Sequence, residues 1–82
     1  MKRKIAQAIL RTLLAADPEP MPEAAIHGAV IQLCRAEKPT CADFDTALQY
    51  CETEGWVCGV SDPLTGRSWS LTESGRHKAR QL

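Results

Sequence analysis

Cys34, Cys41, Cys51 and Cys58 have the most reactive chemistry in this chain, and their spacing decides how to read them. Six, nine and six residues separate them, with no C-x-x-C pair of the kind that supplies two zinc ligands from one turn. Zinc from single cysteines on several elements and a pair of disulfides remain the alternatives. The reading adopted is reduced, buried thiols without metal, each acting as a small apolar side chain. His27 and His77 stand alone, with no H-E-x-x-H, phosphate-cradling glycine loop or nucleophile elbow beside them. His27 lies seven residues before Cys34 and so shares its helix face, but a Cys–His pair alone is not a catalytic site and more often serves packing. Acid, base and nucleophile cannot be assembled into one constellation, so the chain is expected not to be an enzyme and to carry no cofactor.

Charge is the next candidate for function. The chain of 82 residues has a formal net charge of zero, unevenly distributed. Residues 1–16 carry Lys2, Arg3, Lys4 and Arg11, or +4; residues 63–82 carry Arg67, Arg76, Lys78 and Arg80 against Glu73, or +3. Between them, nine acids face only Arg35 and Lys38, or −7. A dedicated nonspecific DNA binder is basic overall, and this chain is not. A hydrophobic content of 44% with 24% charged residues is that of a globular domain, and no apolar run approaches a membrane span. Near the N-terminus Gln7 and Arg11 interrupt the apolar residues, so Ile5, Ile9, Leu10, Leu13 and Leu14 read as an amphipathic helix instead of a signal peptide. One intracellular domain over residues 1–82, in the cytoplasm, is expected.

The elements that position these residues follow from periodicity and breakers. A first helix should run from Lys2 or Arg3 to Ala15, stopped by Pro18, Pro20 and Pro22. A second should place Pro22 in its first turn and reach Arg35 or Ala36, burying Ala25, Ile26, Ala29, Val30, Leu33 and Cys34. Thr40 followed by Asp43 caps a third, which buries Phe44, Ala47, Leu48 and Cys51 and ends at Gly55. The period then changes to two. Trp56, Cys58 and Val60 alternate with Val57, Gly59 and Ser61, and Trp69 and Leu71 with Ser68 and Ser70, about an Asp62-Pro63-Leu64-Thr65-Gly66 turn. Thr72 caps a last short helix through Arg80, with Leu71, Ala79 and Leu82 inward. The expected fold is mainly α with a small β-hairpin, in the order α-α-α-β-β-α. Both tryptophans should clamp the hairpin to the helices.

A helix-turn-helix followed by a hairpin, then Leu71-Thr72-Glu73-Ser74-Gly75-Arg76, resembles the winged-helix domain. That ending is similar to the L-T-x-x-G-R of MarR-like and PadR-like regulators, and Gly55-Trp56-Val57 to the glycine plus apolar pair where helix three gives way to the wing. The resemblance implies a winged helix-turn-helix, with helix three in the major groove of double-stranded DNA and the wing on its backbone. It implies transcription regulation, with a homodimer formed through the first or last helix to supply two half-sites. By position, Thr46, Gln49, Tyr50 and Thr53 on helix three, Arg67 in the wing and basic Lys2, Arg3 and Lys4 become DNA-contact candidates. Helix three departs from the pattern, for its charged residues are Asp43, Asp45, Glu52 and Glu54, all negative beside a polyanion. Those four are the docking candidates of the alternative, a protein–protein interaction module that does not bind DNA.

Overall fold

Fourteen residues at amphipathic spacing make α1 (Arg3–Ala16), the helix around which the others gather. In the computed structural model, which describes residues 3–17, 19–64 and 66–82, it is followed by β1 (Met21–Pro22), α2 (Glu23–Leu33), a 3-10 turn at Arg35–Glu37 and α3 (Cys41–Thr53). Then come β2 (Val57–Asp62), β3 (Gly66–Leu71) and α4 (Glu73–Arg80). Ile5, Ile9, Leu10 and Leu13 of α1 are buried against α2, α3 and α4, together with Ile26, Val30, Phe44, Leu48 and Trp69. Lys2, Pro18 and Thr65 lie outside the described residues. None of the described helices is long and apolar enough to cross a membrane.

The mainly helical fold with a hairpin matches expectation, and so does the end of α3. Gly55 adopts φ 78°, a left-handed conformation that a side chain would strain, and the chain leaves the helix there. The hairpin turn is held by Asp62, whose Oδ1 accepts from the Leu64 amide at 2.8 Å, while Gly66 takes φ 82°.

A third strand corrects the predicted order. Met21 pairs with Trp69 and Pro22 with Ser68, so the antiparallel sheet runs β1-β3-β2. Proline is tolerated there because β1 is an edge. Pro22 is accordingly the residue before α2, extended at φ −59° and ψ 145°, and not part of its first turn. The second helix stops at Leu33, short of Arg35, because the chain tightens into the 3-10 turn and then into Lys38 at φ 47°.

Burial brings further corrections. Leu33 is 62% exposed, Ala25 is exposed and Ala29 half-buried, since only the Ile26–Val30–Cys34 line of α2 meets the core. Leu82, past the end of α4, is 39% exposed. Trp56 is half-buried just before β2, while Cys58 and Val60 are exposed because β2 leaves the core after Val57. Cys41 is also exposed, in the first turn of α3, so two of the four thiols are surface groups and not core ones.

The Leu-Thr-x-x-Gly-Arg stretch has a structural role. The Thr72 hydroxyl accepts from the Gly75 amide at 3.0 Å and donates to the Gly55 carbonyl, and the Thr72 amide donates to the Trp56 carbonyl at 3.0 Å. One residue thus caps α4 and ties it to the end of α3. A Cβ on Gly75 would collide with the Trp56 carbonyl, whose carbon would stand 2.7 Å away. Arg76 then bonds Asp17 at 2.9 Å, closing α4 onto the end of α1.

Gly75→Ala should therefore cost about 3 kcal/mol, the upper part of the overpacking range, because backbone and not a flexible side chain must give way. Gly28→Ala, inside α2 with nothing within 4 Å, should instead stabilise by about 0.5–1 kcal/mol. Urea unfolding of both variants checks the pair, and equal effects would contradict the packing described.

Candidate nucleic-acid interface

The predicted start of α3 is observed as a reciprocal cap. The Thr40 hydroxyl accepts from the Asp43 amide and the Asp43 carboxylate accepts from the Thr40 amide, both at 3.1 Å. Asp43, a docking candidate, is thus committed to starting the helix. Phe44, Ala47, Leu48 and Cys51 are buried at its back, leaving Ala42, Thr46, Gln49 and Thr53 exposed on a fixed outer face.

A groove of about 440 Å³ runs between this face and the hairpin, lined by Gln49, Thr53, Asp45, Glu52, Glu23 and Arg67 above Leu48 and Trp69. Arg67 does not reach out freely as a wing-tip cation. Its Nη2 lies 3.1 Å from Glu23 Oε1 and its guanidinium carbon 5.1 Å from the Trp69 ring centre. The same Glu23 oxygen accepts from Trp69 Nε1 at 3.1 Å. With Arg67 and Glu23 offsetting each other, Asp45 and Glu52 leave the groove acidic.

The remaining candidates lie elsewhere. Tyr50 and Arg3 line a different cavity, of about 260 Å³, with Gln7, Trp56, Lys78 and Leu82. Tyr50 meets Trp56 edge to face, with ring centres 5.7 Å apart. Lys4 faces Glu37 at 3.4 Å in an exposed pair worth at most about 1 kcal/mol. Glu54 closes the C-terminal end of α3, its amide donating to the Tyr50 carbonyl at 3.0 Å. The structure therefore brings Asp45, Gln49, Glu52, Thr53 and Arg67 together in an α3–hairpin groove, and Arg3 and Tyr50 in an α1–α4 cavity. It leaves Lys4, Asp43, Thr46 and Glu54 outside both. Glu23 and Trp69 were missed as site residues, and Lys78 was expected only as one cation of the basic C-terminal segment. Glu23 could be placed opposite Arg67 only by recognising β1, and Lys78 beside Trp56 only by knowing how α4 folds back.

His27 packs against Phe44, ring centres 4.8 Å apart and planes tilted by 42°, while Cys34 Sγ donates to the Lys4 carbonyl at 3.6 Å, so the shared helix face does not pair them. Among the described residues, no cluster of three or more His, Cys, Asp or Glu side chains could hold a metal ion. Comparison with protein-family models, curated proteins and solved structures finds no match. Burial pushes the Cys51 thiol up to about 11, with the Glu54 carboxylate adding to the shift. Cys34 is raised by burial and by Glu37, against an opposing pull from Lys4.

A thiol reagent at neutral pH should accordingly modify Cys41 and Cys58 in the native protein, and Cys34 and Cys51 only after unfolding. Folded Cys51 holds its proton more tightly than the unfolded thiol. Its contribution to stability is therefore intact below pH 9.0 and lost as pH rises toward about 11. Cys51 should contribute up to ~1.4 kcal/mol per pH unit to the slope in that window. Cys51→Ala should flatten it by that share while the smaller part due to Cys34 remains, as read by denaturant unfolding at each pH.

Proposed function

We propose that this chain is a winged helix-turn-helix domain that binds double-stranded DNA as a cytoplasmic transcriptional regulator, with α3 as its reading helix. The observation that carries the proposal is the outer face of α3. Ala42, Thr46, Gln49 and Thr53 are uncovered on a helix held by a reciprocal cap and a buried back. These are short, neutral, mostly hydrogen-bonding side chains, suited to base edges; an ordinary solvated face carries long charged ones.

The acids weigh against this less than their number suggests. Asp43 is consumed by the cap. A reading helix contacts bases through its N-terminal part, whereas Glu52, with Thr53 beside it, lies in the last turn, roughly 15 Å along from Ala42 at 1.5 Å per residue. That leaves Ala42, Thr46 and Gln49 as the base-facing residues. Asp45 is left near the bases, where a carboxylate can accept from cytosine N4. Exposed Arg35 and Lys38 precede α3 and supply phosphate contacts from one side, with Arg67 doing so from the hairpin. A homodimer through α1 or α4 would supply paired half-sites.

The acidic groove favours a second reading, in which Asp45 and Glu52 dock a basic segment of a partner protein and no DNA is bound. Titration of random duplex DNA at low salt separates the two. Under the first reading, Arg67→Ala weakens binding to all sequences and Gln49→Ala alters base preference by about 1–3 kcal/mol at one position. Glu23→Gln, which keeps the acceptor for Trp69 while releasing Arg67, strengthens sequence-independent binding. No detectable binding at low salt would remove the DNA reading. Reversing Asp45 and Glu52 to lysine would then be expected to abolish the protein complex with the fold intact.

A further inference from the structure

We infer that the cavity between α1, the end of α3 and α4 is a second binding site, for one unpaired nucleotide, free or within a single strand. Its walls divide by chemistry. Tyr50, Trp56 and Leu82 form an aromatic and apolar side, and both ring-bearing residues retain accessible surface. Trp56 is half-buried and Tyr50 39% exposed, at an interplanar angle of 76° that leaves a corner between the rings. Arg3 and Lys78 line the same cavity, brought from the two basic ends of the chain by the packing of α1 on α4. Among the described residues neither makes a salt bridge, and Lys78 Nζ lies over the Trp56 ring, 5.4 Å from its centre. Among the described residues no acidic side chain lines the cavity, although the middle of the chain is strongly acidic.

Two cations without acidic partners among the described residues, beside two aromatic rings, match a ligand that joins an anion to a flat ring. A base rests on the aromatic corner and its phosphate takes the position between Arg3 and Lys78. The Gln7 amide, on the same wall, offers a donor and an acceptor to the base edge. The volume of about 260 Å³ suits a single nucleotide, below the usual range for larger ligands. A base-paired nucleotide has both faces stacked and its edge occupied, so duplex DNA does not satisfy this site. Gln49, Thr53 and Arg67 line the other cavity, and the inference stands apart from the duplex reading.

The test is a fluorescence titration of the intact chain with dTMP, with single-stranded dT8 and with inorganic phosphate. Quenching of Trp56 is expected with the first two. Affinity should fall roughly ten- to a hundredfold in Tyr50→Ala. For dT8, Arg3→Ala and Lys78→Ala should each lower the salt slope by about 0.7. Trp56 packs on the core and is left in place; circular dichroism confirms that the variants fold. Equal affinity for dTMP and dT8 identifies a free nucleotide as the ligand, and a large preference for dT8 identifies a strand. Arg11→Ala, at an exposed position of α1 that does not line this cavity, should leave dT8 binding unchanged. Absence of quenching at millimolar dTMP and dT8, equal competition by inorganic phosphate, or binding insensitive to Tyr50, Arg3 and Lys78 would overturn the inference.

Discussion

A buried indole needs an acceptor for its N–H, and Trp69 at 2% exposure finds one in the Glu23 carboxylate at the start of α2. Much of the molecule is arranged around that bond. It requires β3 to lie across the start of α2, which brings Met21 and Pro22 into register with Trp69 and Ser68. It leaves no room for a side chain opposite the ring. Gly59 is the cross-strand partner of Trp69, and a Cβ there would stand 2.8 Å from the indole. The hairpin is therefore part of the helical body through β3, while β2 projects beyond it with little over its outer face.

Charge segregation along the chain becomes segregation in space through the second junction, where α4 folds back under Trp56. Because Gly75 allows backbone contact, α4 can lie against α1, and the two basic termini meet on one side. Glu23, Asp45 and Glu52 of the acidic middle line the groove between α3 and β3. A net charge of zero thus describes neither surface, since Arg3 and Lys78 meet in one cavity and Asp45 and Glu52 in the other. Overall composition conceals this difference.

What could be read beforehand was local. Thr40 and Asp43 form a cap within four residues, and the change of period at Gly55 follows from a positive φ in one residue. The outer stripe of α3 followed from the same helical geometry. What could not be read depends on neighbours distant in sequence. A two-residue strand has no periodicity, so Met21–Pro22 looked like a proline-rich breaker. The stripe on α2 indicated which residues share a face but not how much of it α1 covers, which is why Leu33 is exposed. Tyr50 appeared to belong with Gln49, its neighbour in sequence. One residue turns a helix by about 100 degrees, enough to direct Tyr50 toward Arg3 and Gln49 toward Arg67.

Glu23 carries two interactions of unequal permanence. Its bond to Trp69 satisfies a buried donor, so losing it leaves that group unpaired, a cost of about 1–3 kcal/mol. Its pair with Arg67 joins side chains 34% and 53% exposed, and such a pair contributes at most about 1 kcal/mol. An arriving anion can therefore draw the guanidinium away while the carboxylate stays bonded to the indole and the hairpin keeps its place. Uncovering Glu23 also restores a negative charge to a groove that already holds Asp45 and Glu52, and the repulsion grows as the anion approaches. Phosphate attraction at this face is thereby kept weak by the same residue that fixes the hairpin. Any duplex bound here must then depend on contacts from the α3 stripe and from the cations outside the groove more than on Arg67.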